Sequence, residues 1–506
     1  QALFMKLAGF YQVIGKHDRI EGVYQQMAAA RPDDEQPHMM LGDFYMWLGQ
    51  SDKALASFKR ATEMKPESVA ARDKLIAHYL DTGNLAEVET RVKALFEKDK
   101  RDLSARFFDA RLKLGRRELD AAEAGFQGVI KDEPQSAPAH YFYGVTLFQK
   151  QQVTQARGEF SEAVKLAPGM VDAHMALAGI HLAEGAVDLA IEEAQTALKL
   201  NPRKPQAAVT LGQAFLKKGD KEKSRKIFEE LNRGLPTEPI GPHWLGIIAR
   251  MEKNDAQAVS YFEEALKRKP AAIDPLEQIA AIRIGQGKLA DARDRVTRQL
   301  TATPTNAPIY NLLGQLWVAS KDTAQAETAF KKAIEQDAAF LIAYVNLGAL
   351  YQSSGRLDQA AKEYEAVVAK HPTHVQAMML LGTIYEGKKE YDKAIARYKD
   401  VLKLDPKFAP AANNLAWVLA EQGTDLDVAL SYAQTARQVM PNDPGIADTL
   451  GWIYYKKNAF LMAVELLKEA SEKLQNNPIV QFHYGMALFK KGDVQLAKKF
   501  LESSLK

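Results

Sequence analysis

Two consecutive blocks of 34 residues decide the fold, and they read APAHYFYGVTLFQKQQVTQARGEFSEAVKLAPGM at 137–170 and VDAHMALAGIHLAEGAVDLAIEEAQTALKLNPRK at 171–204. The blocks align without a gap, so that Gly144 falls on Ala178 and Pro168 falls on Pro202. A fixed period of this length is the sequence signature of a repeat architecture. We therefore expect a stack of repeated units rather than one compact core.

The same period extends along the whole chain. Prolines stand on one 34-residue grid at Pro32, Pro66, Pro134, Pro168, Pro202, Pro236, Pro270, Pro304, Pro372 and Pro406. Only Lys100 and Ala338 interrupt this series, and the grid defines fifteen repeats from residue 1, of which the thirteenth holds one extra residue. The twentieth position is Ala in twelve of them, from Ala54 to Ala497. Registration this regular predicts one structural unit per repeat.

Each repeat is predicted to form two helices joined by a tight turn. Leu347, Gly348 and Tyr351 show the apolar i, i+4 spacing of one helix face, with a small residue at the eighth position. Ala326 and Phe330 show the same spacing in a second helix. Glycine at the turn tolerates the positive φ that ends a helix, and nine repeats place it there: Gly15, Gly49, Gly83, Gly185, Gly219, Gly287, Gly355, Gly423 and Gly492.

On these residues the chain resembles the tetratricopeptide-repeat (TPR) family over essentially its whole length. The resemblance implies an all-α fold, a right-handed α-solenoid of about fifteen helix-turn-helix repeats. The segments 413–417 and 448–452, which read NNLAW and DTLGW, resemble more narrowly the bacterial envelope TPR lipoproteins associated with exosortase and exopolysaccharide systems. Because a fold does not fix a function, the resemblance leaves the partner open.

Composition excludes several classes of function. The 67 basic and 64 acidic residues give a net charge of +3, so we expect no nucleic-acid partner. The absence of cysteine excludes disulfides and thiolate sites. The sequence contains no run of about 18 apolar residues, so we expect no membrane span. The chain begins with Gln1, so we expect a fragment or a processed form. The narrower resemblance favours the periplasm or envelope over the cytoplasm.

Three irregular regions stand out from the grid. Pro236, Pro239 and Pro242 delay a helix start, which predicts a hinge at 233–242 between repeats one to seven (1–238) and repeats eight to fifteen (239–506). Repeats three, four and nine depart most from the pattern, which indicates either a local distortion or simple drift. The helix from Val494 to the C-terminus has no polar capping helix after it, which predicts further chain or self-association.

Catalytic signatures are missing from the sequence: it contains no phosphate loop, nucleophile elbow or zinc motif. We therefore predict no enzyme activity, no cofactor and no metal site. His38, His140 and His174 share the fourth position of their repeats, where packing is the preferred interpretation over metal binding. His371 and His374 flank a turn and form the weaker candidate for a metal pair.

Function must then come from the surface of the solenoid. In the TPR family, positions two, five, nine and twelve of the first helix line the concave face. Aromatic side chains at such positions are candidate anchors, because Trp and Tyr dominate binding hot spots. The residues that the resemblance places there are Asn413, Trp417, Trp452, Tyr455, Phe482, Met486 and Phe489 in repeats thirteen to fifteen, and Phe107, Arg111, Tyr141 and Phe148 in repeats four and five. Alternatively, these side chains fold back on neighbouring helices.

The leading hypothesis is a non-enzymatic scaffold that binds a peptide or protein partner in its concave groove, in a bacterial envelope assembly such as exopolysaccharide or pilus export. The alternative is the adaptor arm of a longer enzyme, for example a transferase. Two recognition modes known in the family do not fit this sequence. The clamp for chaperone C-termini needs Lys, Asn and Arg at inner positions of three adjacent repeats, and that set is missing. The asparagine ladder needs many Asn residues at the sixth position, where only Asn346 and Asn414 stand.

Overall fold

The structure, a computed structural model, describes residues 2–423 and 425–505, and all thirty regular elements of that part are α-helices. They pair into fifteen helix-turn-helix repeats, which confirms the predicted all-α solenoid. The helices of residues 1–236 are α1 Ala2–Val13, α2 His17–Ala30, α3 Gln36–Trp47, α4 Ser51–Met64, α5 Val69–Asp81, α6 Leu85–Lys98, α7 Leu103–Gly115, α8 Leu119–Asp132, α9 Ala137–Gln149, α10 Val153–Leu166, α11 Val171–Glu184, α12 Val187–Leu200, α13 Pro205–Lys218 and α14 Lys221–Gly234.

The chain divides into two compact units, residues 1–236 and 237–506, and the handedness of the solenoid, the domain limits 1–238 and 239–506 and the hinge at 233–242 stay predictions. The helices of the second unit are α15 Ile240–Met251, α16 Asp255–Arg268, α17 Ile273–Gly285, α18 Leu289–Ala302, α19 Ala307–Ala319, α20 Thr323–Gln336, α21 Leu341–Ser353, α22 Leu357–Lys370, α23 Val375–Gly387, α24 Tyr391–Leu404, α25 Ala409–Gln422, α26 Leu426–Val439, α27 Pro444–Lys456, α28 Phe460–Lys473, α29 Pro478–Lys491 and α30 Val494–Ser503.

The two helices of a repeat approach closely where a glycine faces a large ring. In repeat eleven, a Cβ on Gly348 of α21 would lie 2.6 Å from the Cε1 atom of Tyr364 on α22, whose side chain is fully buried. Repeat nine fills the corresponding space with the larger Ala280 in place of glycine and the smaller Val296 in place of tyrosine, and both side chains are buried. The eighth and twenty-fourth positions therefore share one volume, so repeat nine is packed despite its irregular sequence.

The nine predicted turn glycines all adopt positive φ, which confirms the turn in those nine repeats. Gly355, for example, has φ of 72° after α21. Lys389 holds the same place after α23 with φ of 61°. An L residue pays a steric penalty in this region, so the turn geometry is imposed by the packing of the helix pair and not by glycine alone.

Buried histidines fasten repeats five and six. The His140 ring has Nδ1 2.7 Å from a Glu159 carboxylate oxygen, and its Nε2 donates to the Pro134 carbonyl at 3.1 Å. His174 repeats this arrangement one period later with Glu193 and Pro168. Because both ring nitrogens are engaged, the packing interpretation of these histidines agrees with the structure. Each ring ties the turn before its repeat to the second helix of the pair.

Candidate functional site

The predicted residues of repeats thirteen to fifteen lie on α25, α27 and α29, and we call these seven residues the C-terminal patch. The Trp452 ring stacks on Tyr455, with 4.6 Å between ring centroids, and on His483 at 4.1 Å. Trp417 reaches the same histidine from α25 at 5.7 Å. Phe482 lies 6.2 Å from Trp452. The structure therefore brings four of the predicted aromatics together: three of them contact the His483 imidazole, and Tyr455 joins the cluster through Trp452.

Polar groups that the sequence interpretation missed hold this cluster in place. The His483 Nδ1 lies 3.0 Å from both Asp448 carboxylate oxygens, and both residues are buried. The Trp452 Nε1–H donates to Glu421 at 3.0 Å, and Lys456 binds the same carboxylate at 2.8 Å. Asp448 stands at the fifth position of its repeat, so the register alone could have identified it.

The Glu421 carboxyl keeps its charge in this setting. Partial burial opposes ionisation of Glu421, but the hydrogen bonds from Lys456 and Trp452 outweigh burial and lower its pKa below the ordinary value. A charged acceptor makes a stronger hydrogen bond than a neutral one. The indole of Trp452 is thus fixed at its edge by Glu421 and at its face by neighbouring rings, as a packed side chain.

The outer part of the C-terminal patch stays exposed. Phe482 is 41% exposed and Phe489 51% exposed, and the apolar side chain of Ile479 on the same helix is also exposed. Met486 is half-buried. Asn413 lies half-buried on α25, and its side-chain oxygen is buried without a hydrogen-bond partner. Within the C-terminal patch, Phe482 and Phe489 are the predicted anchors that a partner could reach directly.

A cavity of about 450 Å³ lies beside the C-terminal patch, between α23 and α25. Trp417 and Glu421 line one side, and Glu386 and Thr383 line the other. Burial raises the pKa of the Glu386 carboxyl, although the Tyr398 hydroxyl donates to it at 2.8 Å. One cavity therefore holds two carboxyl groups whose surroundings shift their pKa values in opposite directions.

The predicted residues of repeats four and five, which we call the N-terminal patch, do not gather into one cluster. Phe107 and Arg111 line a cavity of about 830 Å³ between α5, α7 and α9. Tyr141 packs instead on Phe142, with 5.0 Å between ring centroids. Phe148 is 51% exposed and lies outside the lining of this cavity. The cavity thus contains two of the four predicted residues.

Phe142 completes this site, although the sequence interpretation did not select it. Its ring lies 5.9 Å from Phe107, and the Arg111 guanidinium lies 4.0 Å above it. Arg111 also donates to Asp81 at 2.8 Å, and its side chain is only 11% exposed. Burial lowers the pKa of Arg111, while Asp81 opposes that shift. A mostly buried cation therefore faces an aromatic floor in a cavity that small side chains such as Ala77 keep open.

Charged pairs surround the apolar floor of the N-terminal cavity. Arg72 binds Asp73 at 2.9 Å, and Ser104 donates to the same carboxylate at 2.7 Å. Burial and the nearby Asp172 carboxylate raise the pKa of Tyr141 to about 12, so its hydroxyl stays protonated. The rim of the cavity therefore presents paired polar groups to a ligand, and its floor presents the aromatic rings of Phe107 and Phe142.

Residues 2–423 and 425–505 contain neither a metal-ligating group nor a membrane-spanning helix. Within that part of the chain, no group of three or more His, Asp or Glu side chains could hold a metal ion. His374, one of the weaker metal candidates, instead accepts a hydrogen bond from the Ala377 amide at 3.1 Å and caps α23. None of the described helices combines the length and apolar character needed to cross a membrane.

Comparison with known families identifies the repeats. The family model of the TPR domain of cytochrome c-type biogenesis protein H matches residues 295–412. Two tetratricopeptide-repeat models match residues 36–68 and residues 109–171, 151–199, 175–239 and 387–445. Together these matches cover more than half of the chain, and each names the same kind of repeat. The chain is a tetratricopeptide-repeat protein.

Several solved structures are similar to the chain at low sequence identity. The chain is similar to the Cut9–Hcn1 hetero-tetramer of the APC/C (16% identity, TM-score 0.41, 95% of each chain covered). It is also similar to Naa15/Naa10 bound to HypK-THB (13%, 0.43, 98% of this chain and 93% of that one). YrrB, a TPR protein with an unusual peptide-binding site, is similar over 39% of this chain and 97% of its own (21%, 0.33). No curated protein sequence matches the chain.

Proposed function

We propose that the protein is a non-enzymatic scaffold that binds a partner as a peptide segment in the inner groove of its repeats. The observation that carries the proposal is the cavity of about 830 Å³ lined by Phe107 and Arg111. Its volume falls within the ordinary range for ligand sites, which is about 300–1,000 Å³. The cavity lies between repeats three, four and five, and its lining includes two of the predicted partner-binding side chains, Phe107 and Arg111.

The chemistry of the cavity suits an amphipathic segment of peptide. Phe107 and Phe142 offer ring surfaces to an apolar side chain. Arg72 and Asp73 at the rim already neutralise each other, so a partner need not supply a large net charge. Because water leaves an apolar floor readily, burial of one large side chain there would contribute about 1.5–3 kcal/mol.

The C-terminal patch supplies a second surface in this proposal. Phe482 and Phe489 are the exposed anchors, and Trp452 packs against the Phe482 ring. Val494 and Leu496 on α30 are also exposed, and self-association through that helix belongs to the same proposal. A partner that contacts both patches would gain affinity from two weak sites joined by one chain.

The finer proposal places the scaffold in a bacterial envelope assembly such as exopolysaccharide or pilus export. Two segments, 413–417 and 448–452, support it through their resemblance to envelope TPR lipoproteins. A match to the TPR domain of a cytochrome c-type biogenesis protein is consistent with a role in assembly. The full open reading frame tests this point, because a lipid-attachment signal upstream favours the envelope scaffold and a catalytic domain favours the adaptor arm of an enzyme.

A peptide-display selection against the immobilised protein tests the groove directly. Selected peptides should lose binding to Arg111→Met, and should keep binding to Arg116→Met, a matched change of an arginine that follows the same helix. For the second patch, Phe482→Glu with Phe489→Glu is compared with Leu189→Glu, an exposed apolar residue on a second helix. Peptides that bind all of these variants equally would contradict the proposal.

A further inference from the structure

One contact in the first unit joins two repeats that are far apart in the chain. Arg203, in the turn between α12 and α13, stacks its guanidinium on the Trp47 ring at the end of α3, with 4.3 Å to the ring centroid. Trp47 belongs to repeat two and Arg203 to repeat six. Ion pairs such as Lys74–Asp43 and Arg111–Asp81, in contrast, link adjacent repeats. The stack of Arg203 on Trp47 therefore spans the intervening repeats.

Both residues adjoin positions that the register places on the inner surface. Trp47 lies one helical turn after Asp43, the ninth position of its repeat, so the two share a face of α3. Asp43 binds Lys74 of the next repeat at 2.7 Å. On the other side, Lys204 follows Arg203 and binds Asp172, the second position of repeat six, at 2.6 Å. Each residue of the stack therefore lies beside an ion pair of the inner surface, Trp47 beside Asp43–Lys74 and Arg203 beside Lys204–Asp172.

A continuous row of inner residues connects these two ends. Asp43 pairs with Lys74, and Asp81 pairs with Arg111, so repeats two, three and four are linked in turn. Arg111 stacks on Phe142 of repeat five, and the pKa of the neighbouring Tyr141, which burial raises, is raised further by the nearby Asp172 of repeat six. The row therefore runs from α3 to α11, and the stack of Arg203 on Trp47 joins its two ends.

We infer that Trp47 and Arg203 form a clasp that closes the inner surface of repeats two to six into a ring. An exposed stack of a cation on an aromatic ring is weak, so the clasp can open without unfolding a repeat. The cavity of the N-terminal patch lies on the closed row, since Lys74 and Arg111 line it. A partner segment that crosses this inner surface between repeats two and six would separate Arg203 from Trp47, so the clasp would act as an autoinhibitory contact; this last step rests on the proposed function.

A distance measurement on the free protein tests the clasp without any partner. The chain has no cysteine, so nitroxide labels can be placed only where they are wanted, at Gln50→Cys and Lys199→Cys. Both sites are exposed and flank the clasp, at the start of α4 and the end of α12. Pulsed electron–electron double resonance then gives the distribution of distances between the two nitroxide labels. Partner binding is scored separately, so failure of the clasp and failure of the proposed function are distinguishable.

We expect one short, narrow distance in the labelled protein and in Arg203→Lys, which keeps the cation. Arg203→Ala should lengthen or broaden the distribution. Arg101→Ala is the matched control, because Arg101 holds the same position in repeat three and stacks on none of the described rings. A broad, long distance in the unmodified protein, or a distribution that Arg203→Ala leaves unchanged, would overturn the clasp.

Discussion

The two patches use aromatic residues in opposite ways. In the C-terminal patch, Trp452 stacks on Tyr455 and His483 and is bound at its edge by Glu421, so the rings satisfy one another. In the N-terminal patch, Phe107 and the stacked Arg111–Phe142 pair surround open space of about 830 Å³. Richness in aromatics is therefore not by itself evidence of a binding site, because the rings of one cluster can satisfy one another.

The difference follows from the residues that neighbouring repeats contribute. At the sixth position of the next repeat, the C-terminal patch receives His483, which fills the space between Trp417 and Trp452. At the ninth position of the preceding repeat, the N-terminal patch receives Ala77, which leaves that space empty. The predictions below separate packing from binding in the two patches.

The largest expected loss of stability comes from disturbing close packing between the two helices of a repeat. Repeat eleven, which lies outside both patches, is the place to measure it. Gly348→Ala places a Cβ 2.6 Å from a buried ring atom of Tyr364. Overpacking of this kind costs 1–3 kcal/mol in general, and we expect about 3 kcal/mol because the ring is fully enclosed. Chemical denaturation, monitored by hydrogen exchange of the amides in α21 and α22, measures the loss in free energy of unfolding.

Repeat nine provides the control for this change. It combines Ala280 with Val296 in the same two positions, so Gly348→Ala together with Tyr364→Val should lose less stability than the two single changes summed. A coupling of at least about 1 kcal/mol is expected for residues in direct contact. Strict additivity of the two changes would show that the eighth and twenty-fourth positions do not share one volume.

Trp452→Ala should destabilise the C-terminal repeats by about 2 kcal/mol. Truncation of a buried Trp costs about 3–5 kcal/mol, and Trp452 is only half-buried, so the expected loss is smaller. Phe489→Ala on α29 is the matched control, since that side chain is half exposed and should change stability by less than about 0.5 kcal/mol. Equal losses in both variants would erase the contrast between packed and exposed rings of the C-terminal patch.

The period of 34 residues allowed the helix pairs, the turn glycines and the absence of strands in the described residues to be predicted, because each is a local consequence of spacing. The packing of Trp452 was beyond the same reasoning, since it depends on His483 and Glu421 in other repeats. Phe142 was missed because it stands one position after Tyr141, outside the inner positions of the family pattern. Cavities arise from what neighbours leave empty, and a single-repeat pattern does not record that.

Arg111→Met should weaken peptide binding in the N-terminal patch about tenfold, which corresponds to about 1.4 kcal/mol. Methionine keeps an unbranched stem on the Phe142 ring but removes the cation that faces the cavity. Asp81 remains about half exposed and solvated, so the thermal unfolding midpoint should change little. Isothermal titration with a displayed peptide measures the affinity. Lys456→Met beside the C-terminal patch is the matching control, and an equal loss of affinity in that variant would remove the distinction between the patches.

The smallest expected effect is a pH dependence confined to the C-terminal patch. The pKa of Glu421 is lowered in the folded state, so its contribution to stability is complete above its ordinary value of 4.5. That contribution is lost as the pH falls through the lower folded pKa. Protonation weakens the hydrogen bond from the Trp452 Nε1–H, whose exchange with solvent should accelerate as the pH falls through the lowered pKa of Glu421 in spectra of ¹⁵N-labelled tryptophan.

Glu421→Gln should flatten this acid response of the Trp452 indole, because a neutral amide does not titrate. Glu386→Gln should leave it in place, since burial raises the pKa of Glu386 and any stability linked to that group is lost as the pH rises, not as it falls. The indole of Trp244, outside both patches, is an internal reference in the same spectra. Acid acceleration at Trp452 that persists in Glu421→Gln would show that the stacked rings, and not the carboxylate, respond to pH, and the C-terminal patch would then be held by packing alone.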